Sequence, residues 1–516
     1  MIAFPHLTLL TLTPILGALL LLTGFANSPR TASRIGRFFS SMALLQGIAL
    51  WHGFKSDGLG MQFMEEHRWI PSLQVHYVLG VDGLGLLMVL LTCVVVPIAQ
   101  SLATDQSQRP ALFHALVLLL QSGLLGVFTS LNFFHWFLFW ELSLIPSYFL
   151  IKLWGGPRRV EAATQFFLYT LVGSIALLLA FQVIYLATET FDFQVLAAMG
   201  LSGDLARELE RMDLGPCTGR EVLIMVFAGV LLGFAIKVPL IPFHTWLPDA
   251  YAEAPTSVTI LLTGAMSKMG LYGFLRILLP LFPGAMREFS DVLLVLAVLT
   301  VAASAWAAMA QKDMKRLLAY SSINHLGYCL LAIFAAAGSS ARPGAFADRT
   351  ISLTGTLLQM FNHSIIAAAA FCLVGLIERR SGGQRGLDDF GGLRRIAPVF
   401  AGFMGIVLFA SMGLPGLGGF VGEFLIFRGV FSLAPWAAAI AALGLLLTAV
   451  FLLTFMLRVF HGPLNPRWAG FSDLSRQERV SLAPVLFLIV LLGVWPQTVV
   501  GMFSATVQNL ALWFSR

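Results

Sequence analysis

The fold is decided by residues 111–154, which read ALFHALVLLLQSGLLGVFTSLNFFHWFLFWELSLIPSYFLIKLW. This stretch contains two apolar runs, 111–130 and 132–154, and its only acidic or basic side chains are Glu141 and Lys152. Each run reaches the roughly 20 residues that an α-helix needs to cross the hydrocarbon core of a bilayer. The stretch therefore predicts two consecutive membrane-spanning helices.

Apolar runs of the same kind recur from His6 to the C-terminus. We predict about fourteen spans. They cover residues 6–25, 38–54, 78–103, 111–130, 132–154, 162–188, 222–246, 256–279, 290–310, 317–337, 352–377, 397–430, 434–460 and 481–503. The first run lacks the flanking basic residues and the cleavage pattern of a signal peptide, so we expect a retained helix.

The composition is that of a membrane protein. Hydrophobic residues make up 58% of the chain and charged residues 11%, against roughly 45–50% and 25% in soluble domains. Lipid offers no hydrogen bonds to the backbone, so the spans must be helices, and runs this long do not suit a membrane β-barrel. We predict an all-α polytopic membrane protein that forms a single membrane domain over residues 1–516.

The net charge of +6 is distributed unevenly among the loops. Basic residues concentrate in the loops that follow odd-numbered spans, and loop 189–221 on the other side is acidic. Because basic loops face the cytoplasm, we predict that both termini lie on the opposite side. The positive charge is therefore explained by the position of the loops relative to a lipid bilayer. It gives no reason to expect nucleic acid as a partner.

No cofactor is expected on this chain. Its four cysteines are far apart in sequence and have none of the spacings that hold zinc or an iron–sulfur cluster, and no two histidines have a helical i, i+4 spacing. The glycines near Gly416 lack the strand–helix context of a dinucleotide-binding motif. Redox and nucleotide chemistry would therefore belong to other chains.

Four ionisable residues remain inside apolar spans: Glu141, Lys237, Lys268 and Glu423. Each costs roughly 2.5–3.5 kcal/mol at the centre of an inserted helix, so their retention calls for a reason. One interpretation is structural, in which opposite charges pair between helices. The other is a proton pathway, which accounts for all four because buried carboxylates and amines can exchange protons near neutral pH.

Two histidines could carry protons between these charges. His325 and His363 lie in predicted spans, and an imidazole can bind a proton at one nitrogen and release it at the other. A satisfied structural role is the alternative for each of them. His244 lies at a predicted helix end, where Asp249 and Glu253 could funnel protons or simply be solvated, and we favour the solvated interpretation.

Prolines and glycines interrupt two of the charged spans. Pro239 and Pro242 follow Lys237 and leave the carbonyls of Ala235 and Val238 without their helical donors. The stretch GLPGLGGFVGE, residues 413–423, is a stronger interruption just before Glu423. Irregular backbone at membrane depth is tolerated where it is buried in protein or lines a wet cavity. The sequence therefore predicts two broken helices, each with an ionisable residue beside the break.

Several motifs together resemble the antiporter-like subunits of respiratory complex I, and among them the M-type subunits. They are FWEL at 139–142, KVP at 237–239, HTWLPD at 244–249, APT at 254–256, KDMKRLLAYSS at 312–322 and GLPG at 413–416. Glu423 stands where sister subunits carry lysine, which favours the M type. The resemblance covers almost the whole chain.

The resemblance implies two inverted five-helix repeats, residues 111–280 and 288–460. It implies that Glu141 and Lys237 form a controlling pair, that Lys268 is a central relay, that His325 and His363 follow it, and that Glu423 is the exit group. Many M-type relatives have a histidine where this chain has Tyr251, so we assign that loop position no role in proton uptake.

The implied function is proton translocation in an NADH:quinone oxidoreductase or a close relative. NADH or ferredoxin, FMN, iron–sulfur clusters and quinone would then be bound by partner subunits, and the direct neighbours would be other antiporter-like subunits. The bacterial inner membrane is the expected location, with the thylakoid membrane as the alternative. A D-type subunit of a multisubunit Na⁺/H⁺ antiporter is the second hypothesis, and a purely architectural role is the third.

Overall fold

The computed structural model describes residues 4–24, 28–58, 60–73, 75–103, 108–339 and 344–513. We number the helices and strands in chain order. The helices are α1 His6–Leu22, α2 Pro29–Gly53, α3 Gly83–Leu102, α4 Pro110–Thr129, α5 Phe133–Trp154, α6 Arg159–Thr188, α7 Phe193–Ser202, α8 Asp204–Glu210, α9 Arg220–Lys237, α10 Trp246–Glu253, α11 Thr256–Leu281, α12 Pro283–Glu288, α13 Ser290–Met309, α14 Met314–Gly338, α15 Ala345–Arg380, α16 Pro398–Ser411, α17 Gly418–Leu433, α18 Pro435–Phe460, α19 Arg476–Val494 and α20 Gln497–Trp513. The strands are β1 Gln62–Ile70 and β2 Val75–Val81.

The helical, polytopic architecture is confirmed. Within the described ranges, 10 helices are long and apolar enough to cross a membrane. They are α3, α4, α5, α6, α11, α13, α14, α15, α18 and α19. The count of fourteen spans stays a prediction, and residue 25, the predicted end of the first span, lies outside the described residues.

Three predicted boundaries are wrong for local reasons. The second span begins at Pro29, nine residues early, because Ser28 accepts a hydrogen bond from the Thr31 amide and caps the helix there. The third was predicted from residue 78, but the apolar residues up to Val81 form a strand. The last is divided at Trp495–Pro496 into α19 and α20, as expected where proline removes a helical donor.

A β-hairpin between α2 and α3 is the part of the fold that the all-α prediction missed. Strands β1 and β2 pair antiparallel. Glu65 of β1 is buried and accepts a hydrogen bond from the Leu7 amide at 2.6 Å, so the hairpin caps the start of α1. The side chain of Thr8 also bridges Glu65 and Tyr77 of β2. These contacts fix the hairpin against the helices.

Both predicted helix interruptions are present. The first separates α9 from α10 over residues 238–245, and the second separates α16 from α17 over residues 412–417. Part of the polar backbone around the first break is satisfied within the protein: Ala235 O, predicted to lose its helical donor, accepts from the Leu240 amide at 2.9 Å. Ile236 O accepts from the Trp246 indole at 3.0 Å, and Thr300 Oγ1 accepts from the Ile241 amide at 3.1 Å.

Helix α11 lies at the centre of the bundle. Every residue from Ser257 to Leu281 is buried. Two widened π-helical segments, Leu262–Met266 and Phe274–Leu278, lie on either side of Lys268. Such segments often occur at functional sites because they re-aim side chains out of the regular helical register.

Candidate functional site

Lys268 is fully buried, with 0% of its surface exposed. Its ammonium Nζ contacts three acceptors: Thr263 O at 2.6 Å, Ser267 Oγ at 3.4 Å and His363 Nδ1 at 2.7 Å. A lysine ammonium has three N–H donors, so the charged form is matched by these contacts. The first acceptor is a carbonyl in the widened segment before Lys268.

The histidines extend this contact across the bundle. The His363 and His325 rings lie with their centroids 5.3 Å apart. His325 Nδ1 is 2.9 Å from Glu423 Oε1, and His325 Nε2 is 3.2 Å from Ser411 Oγ. Lys268, His363, His325 and Glu423 therefore form one line of ionisable groups, which comes from four different helices, α11, α15, α14 and α17. We call this line the central relay.

The second break brings the chain close to the end of the central relay. Gly413 has φ +74°, and a Cβ there would lie 2.7 Å from Glu423 Oε2. The backbone therefore approaches the carboxylate because this position has no side chain. The Gly418 carbonyl, just past the break, accepts from Asn362 Nδ2 at 2.5 Å. Glycine in this segment permits both the turn and the approach.

Lys237 and Glu141 lie apart from the central relay. Lys237 is the last residue of α9 and is 2% exposed, and its Nζ lies 5.0 Å from the centroid of the Trp140 ring. Glu141 is partly exposed on α5, with Oε1 buried and without a hydrogen-bond partner. The Glu141 charge is close enough to act electrostatically on Lys237. The described residues nevertheless include no hydrogen bond or ion pair between them.

The structure thus brings four of the six predicted residues into one line and leaves two beside it. No described contact links Lys237 directly to Lys268. Between them, α11 packs on the end of α9 through Gly270, where a Cβ would lie 2.5 Å from Val238 Cγ2 and 2.9 Å from Val238 N. That packing is tight, because the glycine position meets both a side chain and the backbone of α9.

Two polar partners of the central relay were not predicted. Gln359 Nε2 donates to Glu423 Oε1 at 3.1 Å and lies 3.5 Å from His325 Nδ1, and Ser411 contacts the other His325 nitrogen. Gln359 is a buried amide four residues before His363, a spacing that puts both on one face of α15. That spacing is the sequence signal from which Gln359 could have been predicted as a partner of the central relay.

The expectation of a solvated helix end at α10 is wrong in part. Glu253 is 3% exposed, and Asp249 is in ion pairs with Arg158 and Arg316. Tyr251, expected in a loop, is a fully buried residue of α10 near Ser267 and Thr263. Basic side chains from the loop after α5 and from the first turn of α14 pair with the acidic residues of α10.

Interrupted helices that carry a buried line of ionisable side chains define a class of integral membrane protein built to transfer ions. Residues 130–448 match the family described as NADH:quinone oxidoreductase/Mrp antiporter, TM. The chain belongs to this family.

Relatives match along the full length. The chain is 33% identical over 524 aligned positions to the protein named NADH-quinone oxidoreductase subunit M of Rickettsia typhi, with 100% of both chains covered. A chain of respiratory complex I from Thermus thermophilus is similar with a TM-score of 0.82 and 28% identity, over 98% of this chain and 99% of that one. A chain of the Mrp complex from Dietzia sp. has the same fold, with a TM-score of 0.82 at 21% identity over 99% of both chains.

Proposed function

We propose that this chain is the M-type proton-translocating membrane subunit of an NADH:quinone oxidoreductase. The observation that carries the proposal is the central relay, in which Lys268, His363, His325 and Glu423 follow one another inside the bundle and end beside a broken helix. The full-length relative named as subunit M supports the assignment to the oxidoreductase.

The central relay can move a proton by changes of protonation alone. Lys268 can donate through Nζ to His363 Nδ1, at 2.7 Å. His325 can donate through Nδ1 to Glu423 Oε1, at 2.9 Å. An imidazole that accepts at one nitrogen can release at the other. The described residues include no hydrogen bond between the two rings, whose centroids lie 5.3 Å apart, so the proposal includes a bridging water for the step from His363 to His325. Each proton must be raised against roughly 2.3 kcal/mol per 100 mV of membrane potential.

Lys237 and Glu141 control the central relay in this proposal. Both charges lie next to the first break, where α9 ends and α10 begins. A change in the Glu141 charge alters the electrostatic cost of keeping a proton on Lys237, and a change at Lys237 acts on Lys268 through the field of the protein interior. Glu141 is partly exposed, which leaves it within reach of a neighbouring subunit's charges.

The proposed function implies a membrane, a complex and partner subunits for this chain. The chain would be one pumping subunit of a membrane complex in the bacterial inner membrane, next to other antiporter-like subunits, with NADH, FMN, iron–sulfur clusters and quinone bound by its partners. Residues 111–280 and 288–460 would be inverted repeats, and in each the fourth span is the broken one. Electron transfer is remote, so its energy reaches this chain as a shift of charge or helix position.

Glu423→Gln tests the proposal in the assembled complex. The amide keeps the size of the side chain but holds no exchangeable charge, so we expect proton pumping per NADH oxidised to fall while the complex still assembles. The measurement is NADH-driven acidification in reconstituted vesicles together with NADH oxidation. Glu288→Gln, at an exposed ion pair with Arg220, is the control. Unchanged pumping in the Glu423 variant would remove the central relay from the pathway.

A Na⁺/H⁺ antiporter subunit is the competing assignment, and the shared fold of the Mrp chain is its support. The same vesicles separate the two. An oxidoreductase subunit gives acidification that requires NADH and quinone, whereas an antiporter exchanges protons for an imposed Na⁺ gradient without them.

A further inference from the structure

Eight charged residues form a cluster at the end of the bundle that carries the loops after α5, α13 and α15. Four are basic and four acidic: Arg158, Lys315, Arg316, Arg385, Asp249, Glu253, Asp313 and Glu378. We call it the charge cluster. None of its members belongs to the central relay.

Arg385 is the hub of the charge cluster. Its guanidinium lies 3.1 Å from Asp313 Oδ2, 3.5 Å from Glu253 Oε1 and 3.7 Å from Glu378 Oε1. It also donates to the carbonyl of Ala252. These partners come from α14, α10 and α15, so one side chain in the connection between α15 and α16 ties three helices together.

The charge cluster also contacts the backbone at the turn between α10 and α11. Besides Arg385 on Ala252, Lys315 Nζ lies 3.5 Å from Ala254 O and 2.6 Å from Glu378 Oε2. The C-terminal end of a helix carries partial negative charge, which cations stabilise. Two cations from the predicted second repeat therefore hold the end of a helix from the predicted first repeat.

The other side of that turn is held by the first repeat itself. Glu253 accepts from the Arg158 amide at 3.0 Å, and the Glu253 carbonyl accepts from the Gly156 amide at 2.8 Å. A Cβ at Gly156 would lie 2.6 Å from Glu253 Oε2, so glycine permits the contact. Glu253 is therefore shared between the loop after α5 and the hub.

These contacts hold the C-terminal end of helix α10, whereas its first residue, Trp246, is held by a hydrogen bond to Ile236 O. Residues 238–245 separate it from α9, so no continuous helix fixes its angle to the segment that ends at Lys237. At its other end it leads directly into α11, which carries Lys268. Helix α14 begins beside the cluster at Asp313, which caps it, and His325 follows twelve residues later, roughly 18 Å along the axis.

We propose that Arg385 is a positioning residue that couples the first break to the central relay. Movement at the break, next to Lys237, tilts α10. The charge cluster passes that movement to the base of α14, and so to His325. This inference rests on the proposed function and adds a mechanical route to the electrostatic one, since no direct contact joins Lys237 to Lys268.

Arg385→Gln in the assembled complex tests the inference. We expect NADH oxidation to continue while protons pumped per NADH fall by about twofold or more, the size expected when a coupling contact is lost. Arg385→Lys keeps the charge but not the planar fork that spans several carboxylates, so it restores only part of the ratio. Arg458→Gln is the control, because that arginine pairs with Asp388 on the exposed surface.

Several outcomes would overturn the inference. One is an assembled Arg385→Gln complex with an unchanged pumping ratio, and another is a parallel loss of pumping and NADH oxidation, which is the mark of a merely structural role. If Arg385→Gln fails to assemble, Glu253→Gln gives the same test while Arg385 keeps Asp313 and Glu378. A fall in pumping for Glu423→Gln but not for these variants rejects this inference alone, whereas no fall in any of them rejects the proposed function.

Discussion

At the scale of single residues, the buried charges differ in how well they are satisfied. Lys268 has three acceptors within reach, whereas Glu141 Oε1 is buried without a partner. A buried charge without a partner is costly, so it is stable only where a change of protonation or a partner relieves the cost. The structure therefore satisfies the polar atoms of the lysine in the central relay more fully than those of the glutamate beside it.

Lys268→Met tests the relay at its lysine. Methionine has nearly the same length and no charge, and replacement of a buried ion by an apolar side chain is often neutral for stability. His363 Nδ1 is left buried without this hydrogen-bond partner, a cost of about 1–3 kcal/mol. We expect an assembled complex with severely reduced pumping per NADH. The measurement is vesicle acidification, with Lys152→Met, at the end of α5, as the matched lysine control; full pumping in the Lys268 variant contradicts the prediction.

At the scale of elements, the breaks are built by close approach of backbones. A Cβ on Gly493 of α19 would lie 2.3 Å from Gly416 O and 2.4 Å from Leu417 Cα, so α19 rests directly on the second break. On its other side Gly419 meets Ala410 O in the same way. The second break is therefore packed closely on both sides, and we call this packing the clamp. Glycine at these positions permits the short distance between the backbones.

Gly493→Ala should loosen this clamp. The added methyl meets backbone rather than a flexible side chain, so we expect destabilisation of about 1–3 kcal/mol, as for overpacking in a core. Gly402→Ala in α16 meets nothing within 4 Å and should stabilise by about 0.5–1 kcal/mol through helix propensity. Thermal unfolding of the purified protein in detergent measures both. Equal midpoints for the two variants would show that α19 does not press on the break.

The elements also mark the limit of what the sequence could predict. Lys237 with its two prolines and Glu423 with its glycines predicted both breaks, because proline and glycine act locally on the backbone. The hairpin was missed because residues 75–81 are mostly apolar. A strand buried against the helices and the first turns of a membrane span are both apolar, so the sequence does not distinguish them. Which charges touch was also beyond the sequence: Glu141 and Lys237 were expected to pair, but that depends on how α5 and α9 are rotated, and the structure puts the Trp140 ring next to Lys237 instead.

At the scale of the whole molecule, polar side chains join the helices at two places. Inside the bundle, the central relay runs from α11 through α15 and α14 to α17. At one end, the charge cluster joins α10, α14 and α15 by ion pairs. Networks of this kind are stronger than isolated surface pairs, which contribute about 0–1 kcal/mol. The helices are therefore connected by polar contacts both inside the bundle and at one end.

The predicted sidedness can be measured with two cysteine variants in a Cys217→Ser background. Ser202→Cys lies at the end of α7 and Ala469→Cys in the loop before α19, and both positions are exposed. Because basic loops stay in the cytoplasm, we expect a membrane-impermeant maleimide to label the first in intact spheroplasts and the second only after the membrane is opened. Both should react in detergent, and the reverse pattern in spheroplasts would invert the topology.

The enclosure of α11 has a consequence for how the protein is made. None of the residues from Ser257 to Leu281 faces outward, so in the finished protein Lys268 never meets acyl chains. A nascent helix released alone from the insertion machinery would expose that lysine to lipid, at roughly 2.5–3.5 kcal/mol. Biogenesis therefore favours release of this helix together with the segments that will surround it, and any variant that delays those segments should leave it prone to quality-control degradation.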